Sequence, residues 1–354
     1  MRLSLMLEKA WSRHLSWILL LVPFSWLFRL LAGVRRLYQA RLVPNPPLTV
    51  PVVVVGNISV GGTGKTPLVA ALAHWLQEQG YHPGVISRGY GGRASRYPLL
   101  VTTNCSPLSV GDESLLLANI CPVVVDPDRY RAAIFLLEKT NCDLILSDDG
   151  LQHYRLPRDI EIAVVDGKRQ FGNGQCLPAG PLREPVKRLK EVDFVLTNMT
   201  TSDLLEKTKD RKTASLQNST SFAIEPIQLR QLNSDEVLPV TGLFDLNQPG
   251  KIWFKDWGYG LQVHAVAGIG SPERFRDTLE SLGLDPQLHH WPDHHNFSGE
   301  EFAFQDDWPI IITAKDAVKC THIINDKIWV MDVQAVPDSL FLKGILEQLR
   351  ELKS

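Results

Sequence analysis

Little in this chain is extreme, and each shortage narrows what it can be. Five cysteines in 354 residues (Cys105, Cys121, Cys142, Cys176 and Cys320) are odd in number and scattered, and none forms a CxxC pair. That argues against a disulfide framework or a thiolate zinc site and fits a reducing compartment. Neither sign of charge dominates: 37 Lys and Arg face 39 Asp and Glu, for a net charge of -2. No overall basic character therefore points to nucleic acid. Internal repeats and low-complexity tracts are missing, as is any apolar run of the roughly 20 residues that a membrane-spanning helix needs. With 44% hydrophobic and 21% charged residues, the composition is that of an ordinary globular protein long enough for two modest domains.

The charge is nevertheless unevenly placed. Residues 1–45 carry Arg2, Lys9, Arg13, Arg29, Arg35, Arg36 and Arg41 against Glu8 alone. Within them LSWILLLVPFSWLF, residues 15–28, has no charge and two tryptophans, Trp17 and Trp26. Pro23 interrupts it and Arg29 follows immediately, and LLAGVRR offers no good small-x-small cleavage site for a signal peptide. The segment reads as a helix lying in the headgroup region, with tryptophans and leucines buried and Arg35, Arg36 and Arg41 facing anionic lipid. A buried core helix is the bland alternative.

Beyond the proline-rich VPNPPLTVP, strands alternate with helices. PVVVVGN is a valine run expected as a fully buried parallel strand. PLVAALAHWL follows, with Leu68, Leu72, Trp75 and Leu76 on one helical face and Pro67 in the first turn, where its missing N–H costs little. HPGVIS, CPVVVD, CDLILSDDG, IEIAVVDG and VDFVLTN supply further strands, and GDESLLLANI and DRYRAAIFLLEK further helices. The pattern predicts an α/β fold of the P-loop NTPase kind: a mostly parallel sheet with helices on both faces and ligands at the strand C-terminal ends. Past residue 200 the pattern weakens, and residues 220–262 look irregular or antiparallel. A second α/β unit starts at VHAVAGIGSPERFRDTLESLG. The expected division is a membrane-associated segment 1–44, a P-loop domain 45–215, a linker 216–262 and a smaller α/β domain 263–354.

The strongest local signal is ISVGGTGKT, residues 58–66. Glycines in such a loop let backbone N–H groups approach phosphate oxygens, the lysine reaches the β- and γ-phosphates, and the threonine hydroxyl binds Mg²⁺. The loop runs from Ser59, Val60, Gly61, Gly62, Thr63 and Gly64 to Lys65 and Thr66, with Ser59 where glycine is usual. CDLILSDDG adds an apolar strand ending in Asp148 and Asp149, carboxylates suited to hold Mg²⁺. A guanine-reading N/T-K-x-D is missing: MTTSD after VDFVLTN has no lysine, and TAKD at 313–316 has the wrong order. Adenine is the expected base.

Other positions are ambiguous on the residues alone. Asp112 reads equally as a helix N-cap, Arg129 and Arg131 as surface helix residues, and SRGYGG as a plain turn. HHWPDHH, holding His289, His290, Asp293, His294 and His295, lacks the regular spacing of a zinc site. A single histidine paired with a distant carboxylate is the more economical expectation.

SVGGTGKTP, SRGYGG, GDE, DRY, DDGLQH, FGNG, LPAGPLREP, PDHH and KDAVK, in this order, resemble the tetraacyldisaccharide 4'-kinase family across almost the whole chain. The resemblance implies transfer of the γ-phosphate of ATP, with Mg²⁺, to the 4'-hydroxyl of an acylated glucosamine disaccharide 1-phosphate. The products would be lipid IVA and ADP, made at the cytoplasmic face of the bacterial inner membrane. It further implies that Asp112 and His294 act on the acceptor hydroxyl alongside Lys65. Thr66, Asp148 and Asp149 would serve the metal, and Arg88, Tyr90, Arg129, His153, Arg183 and Glu184 the disaccharide phosphate. Two positions depart from the family pattern: Gln170 stands where Gly or Arg is expected before FGNG, and Ala314 where Glu is expected before KDAVK. The rival reading is a membrane-attached P-loop ATPase that switches partners, and acceptor dependence separates the two.

Overall fold

The computed structural model describes residues 11, 17–43, 45–199, 219–240 and 261–353. Strand β1 (Val52–Gly56) lies between β5 (Leu144–Asp148) and β6 (Ile160–Asp166), both parallel to it. Every residue of β1 and β5 is buried, as strands covered on both faces require. Next to β5 come β2 (Pro83–Ser87) and β4 (Val123–Val125), both parallel, and a short antiparallel edge, β3 (Leu99–Leu100). Next to β6 come β7 (Phe194–Met199) and β8 (Ser219–Gln231), again parallel.

Helices cover both faces, as the alternating pattern predicted. Helix α1 (Val22–Leu37) precedes the sheet, and α2 (Lys65–Glu78) buries Leu68, Leu72 and Leu76 with Val53 and Val55. The opposite face of β1, Val52 and Val54, packs with Ala132, Ala133 and Leu136 of α4 (Arg129–Lys139). Between them in the chain lies the short α3 (Asp112–Ala118). Each such leucine contributes roughly 1.5–3 kcal/mol by leaving water.

The same sheet continues into the C-terminal half. β8 pairs antiparallel with β9 (Val237–Pro239) and with β13 (Ile328–Pro337). Beyond β13 lie β12 (Ile310–Thr313), β10 (Gln262–Ala267) and β11 (Asp285–His290), all parallel. The stretch expected to be irregular therefore includes a thirteen-residue strand. Pro226 explains the misleading pattern, because proline in a central strand argues against one. Here the register shifts between Asp332 and Val333, and the irregularity accommodates it. Residues 241–260 lie outside the described residues. Helices α5 (Pro272–Ser281) and α6 (Ala314–Ala317) belong to this half. The last helix, α7 (Ser339–Lys353), returns to the first half, where Phe341, Ile345 and Leu349 join the core around Phe194 and Phe222.

Helix α1 is held along one face. The buried Ser25 hydroxyl donates to the Cys176 carbonyl at 2.6 Å and accepts from the Ala179 N–H at 3.0 Å. Leu20, Phe24, Trp26, Leu27, Leu30, Leu31, Val34 and Leu37 are exposed, so a buried core helix does not describe the segment. At 1.5 Å per residue its sixteen residues reach about 24 Å, short of a bilayer core of about 30 Å. Among the described residues no helix is long and apolar enough to cross a membrane. Arg36 does not face outward with Arg35 and Arg41: it pairs with Glu191 and lies over the Tyr154 ring at 5.0 Å. The side chain of Trp17 falls outside the described residues.

Candidate active site

The loop at residues 58–66 leaves the C-terminal end of β1 and enters α2. Gly64, immediately before the helix, has φ 89°. A Cβ there would also lie 2.5 Å from Asn198 Nδ2, the group that donates to the Thr63 carbonyl at 2.9 Å. From the other side, Val60 N–H donates to the Pro181 carbonyl at 2.8 Å and Arg183 N–H to the Ile58 carbonyl at 2.7 Å. Ser59 is buried and bridges to Leu182. It is not among the positive-φ residues, so this position makes no demand for glycine.

Asp148 and Asp149 end β5 beside the loop, and their environments differ. Burial raises the Asp148 carboxyl, helped by the Glu113 and Asp149 charges, and its Oδ1 has no hydrogen-bond partner. Burial also works to raise Asp149, but the charges of Lys65 and Arg183 outweigh it and bring it to about 2. Its Oδ1 lies 3.5 Å from Lys65 Nζ, and its Oδ2 3.2 Å from Arg183 Nη1. Mg²⁺ typically takes one or two carboxylates and fills its octahedron with waters and phosphate oxygens. The orphaned Asp148 oxygen and Thr66, the second residue of α2, fit that use. Among the described residues no group of three or more His, Cys, Asp or Glu side chains could hold a metal by itself.

Asp112 is the first residue of α3, and Gly111 rather than Asp112 occupies the cap position. The Asp112 side chain meets His294 from the C-terminal half: Nδ1 lies 3.0 Å from Oδ1 and 3.1 Å from Oδ2. Burial would raise this carboxyl, but the His294 hydrogen bond and the charges of Lys315, His294 and Lys319 hold it below the ordinary carboxylate range. Three other members of HHWPDHH have partners of their own. His289 faces His264 at 3.1 Å, His295 faces Glu301 at 2.7 Å, and Asp293 pairs with Lys315 at 3.1 Å.

Arg88, Tyr90, Arg129, His153, Arg183 and Glu184 all line one cleft with the loop, His294, and Phe28, Leu31 and Arg35 of α1. Its volume, ≈ 2620 Å³, exceeds the few hundred to 1,000 Å³ of an ordinary small-molecule pocket and leaves room for two substrates. Arg129 is not a surface residue: it is 2% exposed, donates to the Asp126 carbonyl at 2.9 Å, and burial lowers it to about 10, leaving it charged at neutral pH. Arg131, by contrast, is more than half exposed and pairs with the buried Asp126. Burial, then the Arg129 charge, lowers His153 to about 3, so it enters any reaction neutral. The Glu184 carboxylate accepts from Gln152 at 2.9 Å and from the Tyr154 hydroxyl, so it braces the loop support as well as lining the cleft.

Two lysines and an asparagine were not singled out by sequence. Lys315 Nζ lies 2.8 Å from Glu113, 3.1 Å from Asp293 and 4.0 Å from Asp112, and Lys319 Nζ lies 3.9 Å from Asp112. The KDAVK motif contains both lysines without revealing what they face. Asn198 ends VDFVLTN, where only the absence of a guanine motif drew notice.

A phosphate loop braced at both ends, an orphaned strand-end carboxylate and a facing Asp–His pair define an ATP-dependent phosphotransferase of the P-loop class. Sequence comparison narrows the class. Residues 17–350 match the family described as Tetraacyldisaccharide-1-P 4'-kinase, and the chain belongs to that family. The tetraacyldisaccharide 4'-kinase of Methylobacillus flagellatus is 43% identical over 351 residues, covering 98% of this chain and 96% of the relative. That of Alkalilimnicola ehrlichii is 46% identical, covering 92% and 91%. The crystal structure of the "apo" form of LpxK from Aquifex aeolicus in complex with ATP superposes with a TM-score of 0.72. It is 28% identical, covering 94% of this chain and all of that one.

Proposed function

We propose that this enzyme transfers the γ-phosphate of ATP to the 4'-hydroxyl of an acylated glucosamine disaccharide 1-phosphate, giving lipid IVA and ADP. The observation that carries the assignment is that His294, partner of Asp112, opens onto the cleft that also holds the phosphate loop and α1. The acceptor oxygen bonds to the γ-phosphorus as the bond from that phosphorus to the β,γ-bridging oxygen breaks, and ADP carries the electron pair away. The hydroxyl proton passes to Asp112, which His294 orients and whose charge the neighbouring lysines maintain. Lys65 would reach the β- and γ-phosphates, and Thr66 with Asp148 would hold Mg²⁺, whose role is to neutralise charge on the transferring group. Asp149 keeps Lys65 and Arg183 in place. Arg88, Arg129 and Arg183 supply positive charge for the anionic substrate, while Tyr90 and neutral His153 offer hydrogen bonds.

The acylated substrate resides in a membrane, and the exposed leucines, Phe24 and Trp26 of α1 suit the interface of one. We place the enzyme peripherally on the cytoplasmic face of the inner membrane, with Arg29, Arg35 and Arg41 toward anionic lipid. Residues 45–215 would then form the nucleotide-binding part and residues 263–354 the part that closes His294 over the acceptor.

The test follows label from γ-labelled ATP into lipid and into free phosphate, using mixed micelles of the disaccharide 1-phosphate and Mg²⁺. Label in the lipid that disappears with Lys65→Ala is the expected result. Label in free phosphate alone, with or without lipid, would mean a switching ATPase instead.

A further inference from the structure

The crest of the phosphate loop meets the C-terminal half at the glycine turn of residues 268–271. A Cβ on Gly62 would stand 3.8 Å from Ser271 Oγ, and one on Gly270 would stand 3.6 Å from the Gly62 nitrogen. Arg169, in the turn after β6, spans this junction. Its Nη2 donates to the Gly62 carbonyl at 2.5 Å and to Ser271 Oγ at 3.3 Å. Its Nη1 would lie 2.9 Å from a Cβ on Gly61, which with φ 100° gives that position two reasons to be glycine.

Asp166, at the C-terminal tip of β6, fixes the guanidinium. Its Oδ2 accepts from Arg169 Nε and Nη2, both at 3.2 Å. Its Oδ1 accepts the backbone N–H groups of Lys168 at 3.0 Å and Arg169 at 2.8 Å, and lies 3.3 Å from Arg274 Nη2. Arg274 belongs to α5 in the C-terminal half, and Lys168 reaches Asp277 of the same helix at 3.2 Å. One carboxylate with a side chain only 5% exposed thus organises two arginines, one on the loop and one from the opposite half. An ordinary exposed i,i+3 ion pair contributes little and is indifferent to ligands. Arg169 differs because its further partners are the carbonyl of a phosphate-binding glycine and a hydroxyl of the other half.

We propose that Arg169 is a positioning residue for phosphoryl transfer. Clamped by Asp166, it sets the curvature of the Gly61–Gly62 crest and ties a nucleoside-triphosphate-loaded loop to the half that carries His294. Its charge would stand beside the triphosphate that the loop receives. This role presupposes that Ser59–Thr66 holds the phosphates of ATP.

Steady-state kinetics of the full-length enzyme, with ATP varied at saturating lipid, test it. Arg169→Ala raises the KM for ATP about tenfold, the scale of one lost charge-assisted hydrogen bond, and also lowers kcat. Its melting temperature stays near wild type, since the guanidinium is half exposed. Asp166→Asn reproduces the KM increase, and the double variant is no worse than either single one, because both break a single unit. KM and kcat within twofold of wild type in Arg169→Ala, or additive effects in the double variant, would overturn the clamp. A Lys65→Ala control separates the two layers: activity surviving in it sinks the loop assignment itself, whereas a dead Lys65→Ala beside an unaffected Arg169→Ala sinks the clamp alone.

Discussion

His294 Nδ1 lies 3.0 Å from Oδ1 of Asp112, a residue 182 positions earlier in the chain. The contact depends on unusual backbone on both sides. His294 itself has φ 62°, and Gly91 of SRGYGG has φ 84° with space for a Cβ only 3.0 Å from the His294 ring nitrogen. The glycine-rich turn thus makes room for the histidine and lets Tyr90 approach its ring at 5.0 Å. Two lysines from the C-terminal half close the back of the pair.

Asp112→Asn and His294→Ala should each lower kcat by about 10²–10⁴, the range for loss of a positioned proton acceptor. The dissociation constant for ATP should change little, since neither side chain belongs to the phosphate loop. Initial rates together with equilibrium nucleotide binding decide this, and near-wild-type turnover in either variant would remove the pair from the mechanism.

Lys315→Met should move the acid limb of the kcat/KM profile to higher pH. Asp112 accepts a proton only when ionised, so activity is present above its pKa and lost as pH falls through it. Burial acts to raise that pKa, while His294, Lys315 and Lys319 together bring it below the ordinary value. Taking away the Lys315 charge leaves burial less opposed and the pKa rises. An unmoved limb would mean that another group governs it.

Asp148→Asn should raise the Mg²⁺ concentration needed for half-maximal activity by about tenfold or more, on the scale of perturbed metal sites. Its Oδ1 is buried and has no hydrogen-bond partner. The measurement is a magnesium titration at saturating ATP, and an unchanged midpoint would assign the metal elsewhere.

Replacing Leu27, Leu30 and Leu31 with serine should abolish flotation with anionic liposomes while leaving ATP binding intact. Each leucine withdrawn from the interface forfeits roughly 1.5–3 kcal/mol, and all three are exposed. Flotation equal to wild type would release α1 from this role.

Arg188→Ala should cost about 1.5–3 kcal/mol of stability, because it removes charged hydrogen bonds to Glu161 while Arg158 stays paired with that carboxylate at 2.7 Å. Arg188 is 2% exposed, and its Nη2 lies 2.5 and 2.7 Å from the two oxygens of Glu161. Denaturant unfolding reads the loss, and a midpoint near wild type would contradict it.

Sequence revealed whatever was local. The valine run, the loop and the strand ending in Asp148 are contiguous patterns whose physics needs no partner. The Asp112–His294 pairing was legible only through the family resemblance, since the residues alone allowed Asp112 to be a cap. β8 was obscured by Pro226 and by polar residues such as Gln228 and Arg230, which pair with Asp332 of the neighbouring strand. The junction at Arg169 was invisible for a simpler reason: its contacts with Gly62 and Ser271 span 107 and 102 residues. Gln170, noted as a departure, has φ 46°, so glycine would be more comfortable there, but the turn holds through its N–H bond to the Asp166 carbonyl at 2.8 Å.

The continuous sheet makes this enzyme indivisible. β8 is bonded along one side to β7 and along the other to β13, so a fragment ending before residue 261 would expose a long open ladder. It would also lack the α7 side chains that fill the core beside Phe194. Such a fragment would stick to its own copies rather than survive as a free nucleotide-binding module. For the same reason, any closing of the halves has to be borne by twisting one shared sheet, not by swinging on a slack tether.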